Sequence, residues 1–197
     1  MSEAALTVMA VVGSLNKNAV TRCVILHVAE QLKTSGVSVD VLDLLGEPLA
    51  LFNPDSAHEA EGFEHLKKRV EAADVYVLGT PDYHGSISSA MKNFLDHFWR
   101  EFSGKLFATI VASHEKGLTV TDQLRTVARQ CYAWTLPYGV SFAEKEDVKQ
   151  GQVVSGALKK RLDMFVHDVR VYGTLLARQR SMDLAGTEPG FMAKHRK

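Results

Sequence analysis

Two short segments hold residue types that suit a phosphorylated ligand with a planar ring. The first runs Gly13-Ser14-Leu15-Asn16-Lys17-Asn18-Ala19-Val20-Thr21. Gly13 and Ser14 leave an apolar run, and Thr21 stands at the start of a helical pattern. Hydroxyls and first-turn N–H groups that lack helical partners therefore converge on one spot. The helix dipole favours an anion there by roughly 0.3–2 kcal/mol, and each hydrogen bond to a charged oxygen adds roughly 1.5–3 kcal/mol. A few such contacts hold a phosphate without a lysine clamp. The second segment is Thr80-Pro81-Asp82-Tyr83-His84-Gly85-Ser86, continuing through Ile87-Ser88-Ser89-Ala90-Met91 to Lys92-Asn93. Pro81 fixes φ and lacks an N–H, which stiffens the start of the loop. Gly85 admits close approach of backbone to a flat ligand, Ser86 is a candidate N-cap for the next helix, and Tyr83 and His84 add planar side chains. Such a loop suits one edge and one face of an aromatic ring system.

Alternating strands and helices position these segments. Residues 6–12 are continuously apolar, as a strand buried on both faces requires. A helical stripe follows over 21–34, with Val24, Val28 and Leu32, and ends at Gly36. Further strands are expected over 37–44, 75–79, 106–112 and 136–142. Helices are expected over 59–73, from Ser86 to about Glu101, over 119–133 and over 155–178, with a charged connection at 144–150. This alternation predicts an α/β fold in which right-handed crossovers cover both faces of a parallel sheet. Ligand-type loops after the first and third strands fit a flavodoxin-like three-layer sandwich, with five strands in the order 2-1-3-4-5 and a switch point between those two strands. One domain over 1–180 and a tail over 181–197 follow. The loop after the fourth strand, 112–118, carries Ser113 and His114.

The second segment resembles the T-P-E-Y-N-G-S-x-x-x-x-x-K-N signature of the NADPH-dependent FMN reductases, a flavodoxin-like family. The first resembles that family's G-S-x-R-x-x-S-x-[NT] phosphate loop, with Asn16 where Arg is usual and Ala19 where Ser is usual. Lys17 offers a charge one position on. The resemblance covers roughly residues 6–142. It implies an enzyme that binds FMN non-covalently, takes hydride from NADPH or NADH, and passes electrons to a flavin, quinone, azo or metal acceptor. The residues it assigns to the cofactor are Ser14, Asn16, Lys17, Ala19, Val20, Thr21, Pro81, Asp82, Tyr83, His84, Gly85, Ser86, Ser113 and His114. Because the flavin does the redox chemistry, no protein acid or base is required for hydride delivery. The family also implies dimers or dimers of dimers. The helix over 87–102 supports this, since Met91, Phe94, Leu95, Phe98, Trp99 and Phe102 cover more than one core-facing stripe of roughly 100°. An electron carrier of flavodoxin type, with no pyridine-nucleotide site, is the alternative; such carriers are usually strongly acidic.

Composition narrows the field further. The chain has 197 residues, 46% of them hydrophobic, which is enough for one substantial core. Its 23 basic and 23 acidic residues balance, so nothing points to nucleic acid or an anionic membrane surface. Cys23 and Cys131 are too few for a disulfide framework and read as core residues of a reduced, cytoplasmic protein. Residues 1–4 lack a basic leader region, and the apolar run after them is too short to span a bilayer. His27 and His65 fall within helices. Neither His84 nor His114 has a Cys/His/Asp cluster at metal spacing around it, so no metal is expected. Walker A, G-x-G-x-x-G and G-x-S-x-G patterns are absent, and Leu124-Arg125 resembles the family's helix, which implies a structural role for the Arg.

Overall fold

The computed structural model describes residues 5–196; the leader reading over 1–4 and the tail's Lys197 lie outside the described residues. Four parallel strands form the heart of the sheet: β1 (Thr7–Val12), β2 (Ser38–Asp43), β3 (Val75–Tyr83) and β5 (Leu106–Ala112). They lie in the order β2-β1-β3-β5, and two short strands, β6 (Trp134–Thr135) and β7 (Val140–Phe142), both run parallel to β5. This is the expected 2-1-3-4-5 order, with the fifth strand in two pieces. Pro137 and Gly139 interrupt it, and a Cβ on Gly139 would come within 2.6 Å of Thr109 Oγ1. The interruption lets the chain press closely against β5.

Alternation along β1 divides the core. Val8, Ala10 and Val12 face α1 (Val20–Thr34) and α6 (Gly156–Ala185), while Met9 and Val11 face α2 (Phe63–Ala72), α3 (Ser89–Asp96) and α4 (Leu118–Gln130). Both faces are covered, which is why these strands are apolar throughout. On α1 the buried stripe is Val24, Ile25, Val28, Ala29 and Leu32, and Gly36, at φ +82°, turns the chain into β2. Cys131 is buried and Cys23 half-buried; both are free thiols.

Several elements differ from expectation for local reasons. β3 continues to Tyr83 and folds back as a hairpin onto β4 (Ser86–Ile87), with His84 and Gly85 both at positive φ. That pair is the left-handed turn a two-residue hairpin favours. The N-cap of α3 is therefore Ser88, whose hydroxyl accepts from the Met91 N–H at 3.1 Å, and not Ser86. The expected helix over 87–102 is also shorter. α3 ends at Asp96, and a 3-10 turn covers Arg100–Phe102. Its Met91, Phe94, Leu95, Phe98 and Phe102 are all buried in their own chain, packed with Phe63, Tyr76 and Phe107, and Trp99 alone of that set is exposed. The apolar surplus read from the sequence thus serves the core, since breaking the helix lets residues on more than one face turn inward. The second helix starts at Phe63, after Gly62 at φ +80°. The charged connection contains a short helix, α5 (Glu144–Asp147), and a hairpin, β8 (Val148–Lys149) to β9 (Gln152–Val153). Ser155 caps α6 by accepting from the Leu158 N–H at 3.2 Å. That helix continues to Ala185, and a 3-10 turn over Phe191–His195 buries Met192 against the body of the protein.

Candidate functional site

The carboxyl ends of β1, β3 and β5 open onto one cleft. Gly13 and Gly79 bring β1 and β3 together: the Gly13 N–H donates to the Gly79 carbonyl at 2.7 Å. A Cβ on Gly13 would meet that oxygen at 2.8 Å and Met91 Cε at 2.7 Å, so no larger residue fits. Because Gly79 points its carbonyl at β1, Pro81 two residues later points the same way, past the end of β1. Its missing N–H leaves no ladder bond unmade.

Behind this crossing, buried hydroxyls fasten the loops. Ser88 Oγ donates to the Gly13 carbonyl, and the Ser88 N–H donates to Thr80 Oγ1 at 3.0 Å. The N-cap of α3 thereby ties the first loop to the third strand. Asp82 does the same on the other side: it accepts from the Gly85 N–H and from Ser113 Oγ, both at 2.8 Å. Gln123 on α4 holds the hairpin, accepting from Ser86 Oγ and the Ile87 N–H at 3.1 Å each.

The first loop is braced from outside by Arg22. Its Nη1 donates to the carbonyls of Asn16 and Lys17 at 3.0 and 2.8 Å, while Nε and Nη2 grip Asp43 at 2.6 and 3.1 Å. The guanidinium holds the Asp43 carboxyl below the usual carboxylate range. Within the loop, the Asn16 N–H is taken by Ser14 Oγ and the Asn18 N–H by Asn16 Oδ1. Ala19, at the N-cap, supplies no side-chain cap. The N–H groups of Val20 and Thr21, in the first turn of α1, have no intrahelical acceptor.

The cleft is lined by Ser14, Asn16, Ala19, Val20, Thr21, Pro81, Asp82, Tyr83, Ser113 and His114, ten of the residues expected from the sequence. Asn18, Ala112 and Glu144 join them. Lys17 lines a neighbouring cavity with Arg22, Cys23 and Leu26. His84 and Gly85 form the hairpin tip, and Ser86 faces Gln123. Sequence reasoning passed over Thr80, Ser88, Arg22, Gln123 and Glu144. Only Thr80 and Ser88 were marked in any way, lying inside the motif already singled out.

One test of cofactor fit is the chemistry of the donor set. Ser14 and Thr21 are almost fully buried, at 2% and 1% exposure, yet both line the cleft beside the free first-turn N–H groups. That set suits a phosphate. Across the cleft, Pro81, Tyr83, Ala112 and His114 offer flat or small surfaces to a ring. These residues fit a flavin mononucleotide. The cleft encloses about 180 Å³, less than the roughly 300–1,000 Å³ of sites that bury most of a drug-sized ligand. A ring seated here would stay open on one side. No group of three or more His, Cys, Asp and Glu able to hold a metal occurs among the described residues.

Fold and cleft together define a flavodoxin-like flavoprotein. A model of the NADPH-dependent FMN reductase family matches residues 6–147, and the chain belongs to that family. It is an FMN-dependent NAD(P)H oxidoreductase. The FMN-dependent NADPH-azoreductase of Staphylococcus aureus is 27% identical over 150 residues, covering 70% of this chain and 79% of the relative. Two solved structures share the fold. The flavoenzyme FerB, an NAD(P)H:(acceptor) oxidoreductase from Paracoccus denitrificans, superposes with a TM-score of 0.68 at 21% identity over 88% of this chain and 98% of its own. The apo form of an NADH:FMN oxidoreductase, EMOB, gives a TM-score of 0.70 at 15% identity over 85% and 89%.

Proposed function

We propose that the cleft at the ends of β1, β3 and β5 is the FMN site, within one domain over residues 1–180, and that it serves a small electron acceptor of the quinone, azo, free flavin or metal type. The observation that carries this reading is the convergence of Ser14, Thr21 and the first-turn N–H groups of α1 on a cleft walled by Pro81, Tyr83 and His114. When bound, FMN supplies two-electron exchange with a nicotinamide co-substrate. Ser14 and Thr21 hold the phosphate, and Arg22 keeps their loop rigid from behind. Pro81 and Tyr83, with Ser113 and His114 opposite, orient the ring and keep water from its inner face. The backbone of Asp82, with the hairpin tip at His84 and Gly85 beyond it, would border the ring's polar edge, and Asp82 sets the spacing of the two loops through Ser113. The open side of the cleft leaves room for co-substrate and acceptor to use one face in turn, which gives ping-pong kinetics.

Self-association belongs to the same reading. A groove of about 860 Å³ between α3 and α4, lined by Ile87, Lys92, Thr126 and Val127 among others, borders the hairpin beside the cleft. A second copy seated there would wall the open side of the ring. The balanced charge and the free thiols Cys23 and Cys131 support a cytoplasmic setting, and no helix among the described residues is long and apolar enough to cross a membrane. The test is spectroscopic. Purified protein mixed with FMN is expected to retain a flavin spectrum through gel filtration and to lose it on anaerobic addition of NADPH. A protein that releases all FMN, or a bound flavin that NADPH leaves oxidised, would overturn the assignment. Light scattering at micromolar concentration is expected to give a dimer or tetramer.

A further inference from the structure

The opposite edge of the sheet holds a second cluster of charged and aromatic groups. Trp134 pairs with Leu106 at the start of β5, whereas the cleft lies beyond the other end of that strand, at Ala112 and Ser113. At about 3.3 Å per residue, the strand puts roughly 20 Å between the two places. The C-terminal turn Phe191–His195 folds back here. Phe191 stacks on Tyr132 with ring centroids 6.3 Å apart and meets Trp134 edge-on at 6.2 Å. Lys194 Nζ lies 3.5 Å from the centroid of Tyr132. Met192 anchors the turn, so close to Gly104 that a Cβ there would meet its sulfur at 2.8 Å.

Beside this anchor, His195 Nε2 is shielded from solvent and meets no hydrogen-bond partner among the described residues. Burial opposes protonation of this imidazole most, and the charged groups Lys194, Arg100 and Arg180 each add to that. Arg180 spends Nε on the Ser103 carbonyl at 3.0 Å, and the Arg100 guanidinium lies 5.9 Å from the Trp99 ring centroid. A buried nitrogen without a partner is costly, and like charges gathered around it repel one another. An anion with several oxygens relieves both: one oxygen accepts from Nε2–H while the others meet guanidinium and ammonium groups.

We propose that Arg100, Arg180, Lys194 and His195 form a phosphate-binding site separate from the flavin cleft. The half-exposed rings of Tyr132, Trp134 and Phe191 border it. A phosphate carried on an aromatic nucleoside gains a stacking surface that free phosphate does not use.

The chain has two tryptophans, Trp99 and Trp134, and both border the cluster, so tryptophan emission reports on it. FMN-loaded protein titrated with sodium phosphate at constant ionic strength is expected to show a saturable change in emission that sodium chloride does not produce. Arg100→Ala and His195→Ala are each expected to weaken phosphate tenfold or more, while Lys33→Ala, on the far end of α1, leaves it unchanged. Adenosine 5′-monophosphate binding tenfold tighter than phosphate identifies a nucleotide site; equal affinities identify a site for free phosphate. Should His195→Ala fail to fold, Arg100→Ala decides alone. A response that chloride reproduces, or one that Arg100→Ala leaves intact, overturns the proposal.

Discussion

Arg22 meets the Asp43 carboxylate with two nitrogens, at 2.6 and 3.1 Å, and so ties the end of β2 to the first turn of α1. The same guanidinium holds the carbonyls of Asn16 and Lys17, so a loop without the usual Arg at position 16 is braced by one six residues later. Replacing Arg22 by Met should free both carbonyls and weaken FMN about tenfold, since one charge-assisted hydrogen bond is worth roughly 1.5–3 kcal/mol. Fluorescence titration of the apoprotein checks this. Asp43 titrates below its ordinary value because Arg22 bonds its charged form. Its contribution to stability is present above the unfolded value of about 3.9 and is lost as pH falls through the lower folded value. The Asp43→Asn variant should lack that acid-side loss in urea unfolding, and an unchanged profile would separate the pair from stability.

Ser14 Oγ accepts the Asn16 N–H within the loop at 3.3 Å, which leaves its own proton to donate into the cleft. Ser14→Ala should therefore weaken FMN about ten- to a hundredfold, or roughly 1.5–3 kcal/mol. The site is almost fully buried and the change small, so the thermal midpoint should move little. Equal FMN affinity in variant and wild type would remove Ser14 from the site.

Which features were legible in the sequence depends on how local their causes are. The five-strand order followed from the alternation of apolar runs and helical stripes, and the two ligand-type loops followed from Gly, Ser and Pro at their starts. The N-cap was misplaced by two residues because Ser86 and Ser88 are locally equivalent. His84 and Gly85 at positive φ decide between them by making a hairpin first. A two-residue turn ending in Gly, between Tyr83 and Ser86, was the signal available. The length of α3 was not legible, since aromatic residues at helical spacing look alike whether the helix continues or breaks. What breaks it is a tertiary cluster around Tyr76 and Phe107. Arg22 and Asp43 stand twenty-one positions apart, and nothing near either residue announces the other.

The hairpin beside the cleft supports a further prediction. Gly85 sits at φ +74°, and a Cβ there would meet Thr119 Oγ1 only at an ordinary 3.6 Å. Gly85→Val is therefore opposed by backbone strain and not by crowding, at a cost of about 1–3 kcal/mol. It should distort the hairpin, lower FMN occupancy and slow turnover, yet leave a folded protein, because the loop lies outside both core clusters. Gln123→Ala should give a milder version of the same defect by releasing Ser86 and Ile87. Full FMN content with normal turnover in Gly85→Val would show that the hairpin does not shape the site.

Lys105 gives the fold a pH dependence far from the cleft. It is buried at the head of β5, and its Nζ donates to the carbonyls of Val70 and Glu71, at the end of α2, at 3.1 and 2.7 Å. Burial, seconded by Arg180, pulls its pKa down to about 7. Between that value and the ordinary lysine value of about 10.4, the unfolded chain binds more protons than the folded one. Stability should therefore rise with pH across this window, by an amount on the order of 4 kcal/mol in total at about 1.36 kcal/mol per unit. Below about pH 7 both states are protonated, and Lys105 contributes no slope. Lys105→Met removes the titrating group but also leaves two helix-terminal carbonyls without their donor, so its absolute stability is a poor guide. The difference between wild type and variant is the useful quantity, because the buried Tyr76 and every other titrating group are common to both. Urea unfolding at about pH 6.5, 8 and 10 should show the wild type gaining on the variant as pH rises. Parallel stability curves across that range would mean that Lys105 keeps an ordinary pKa in the folded protein.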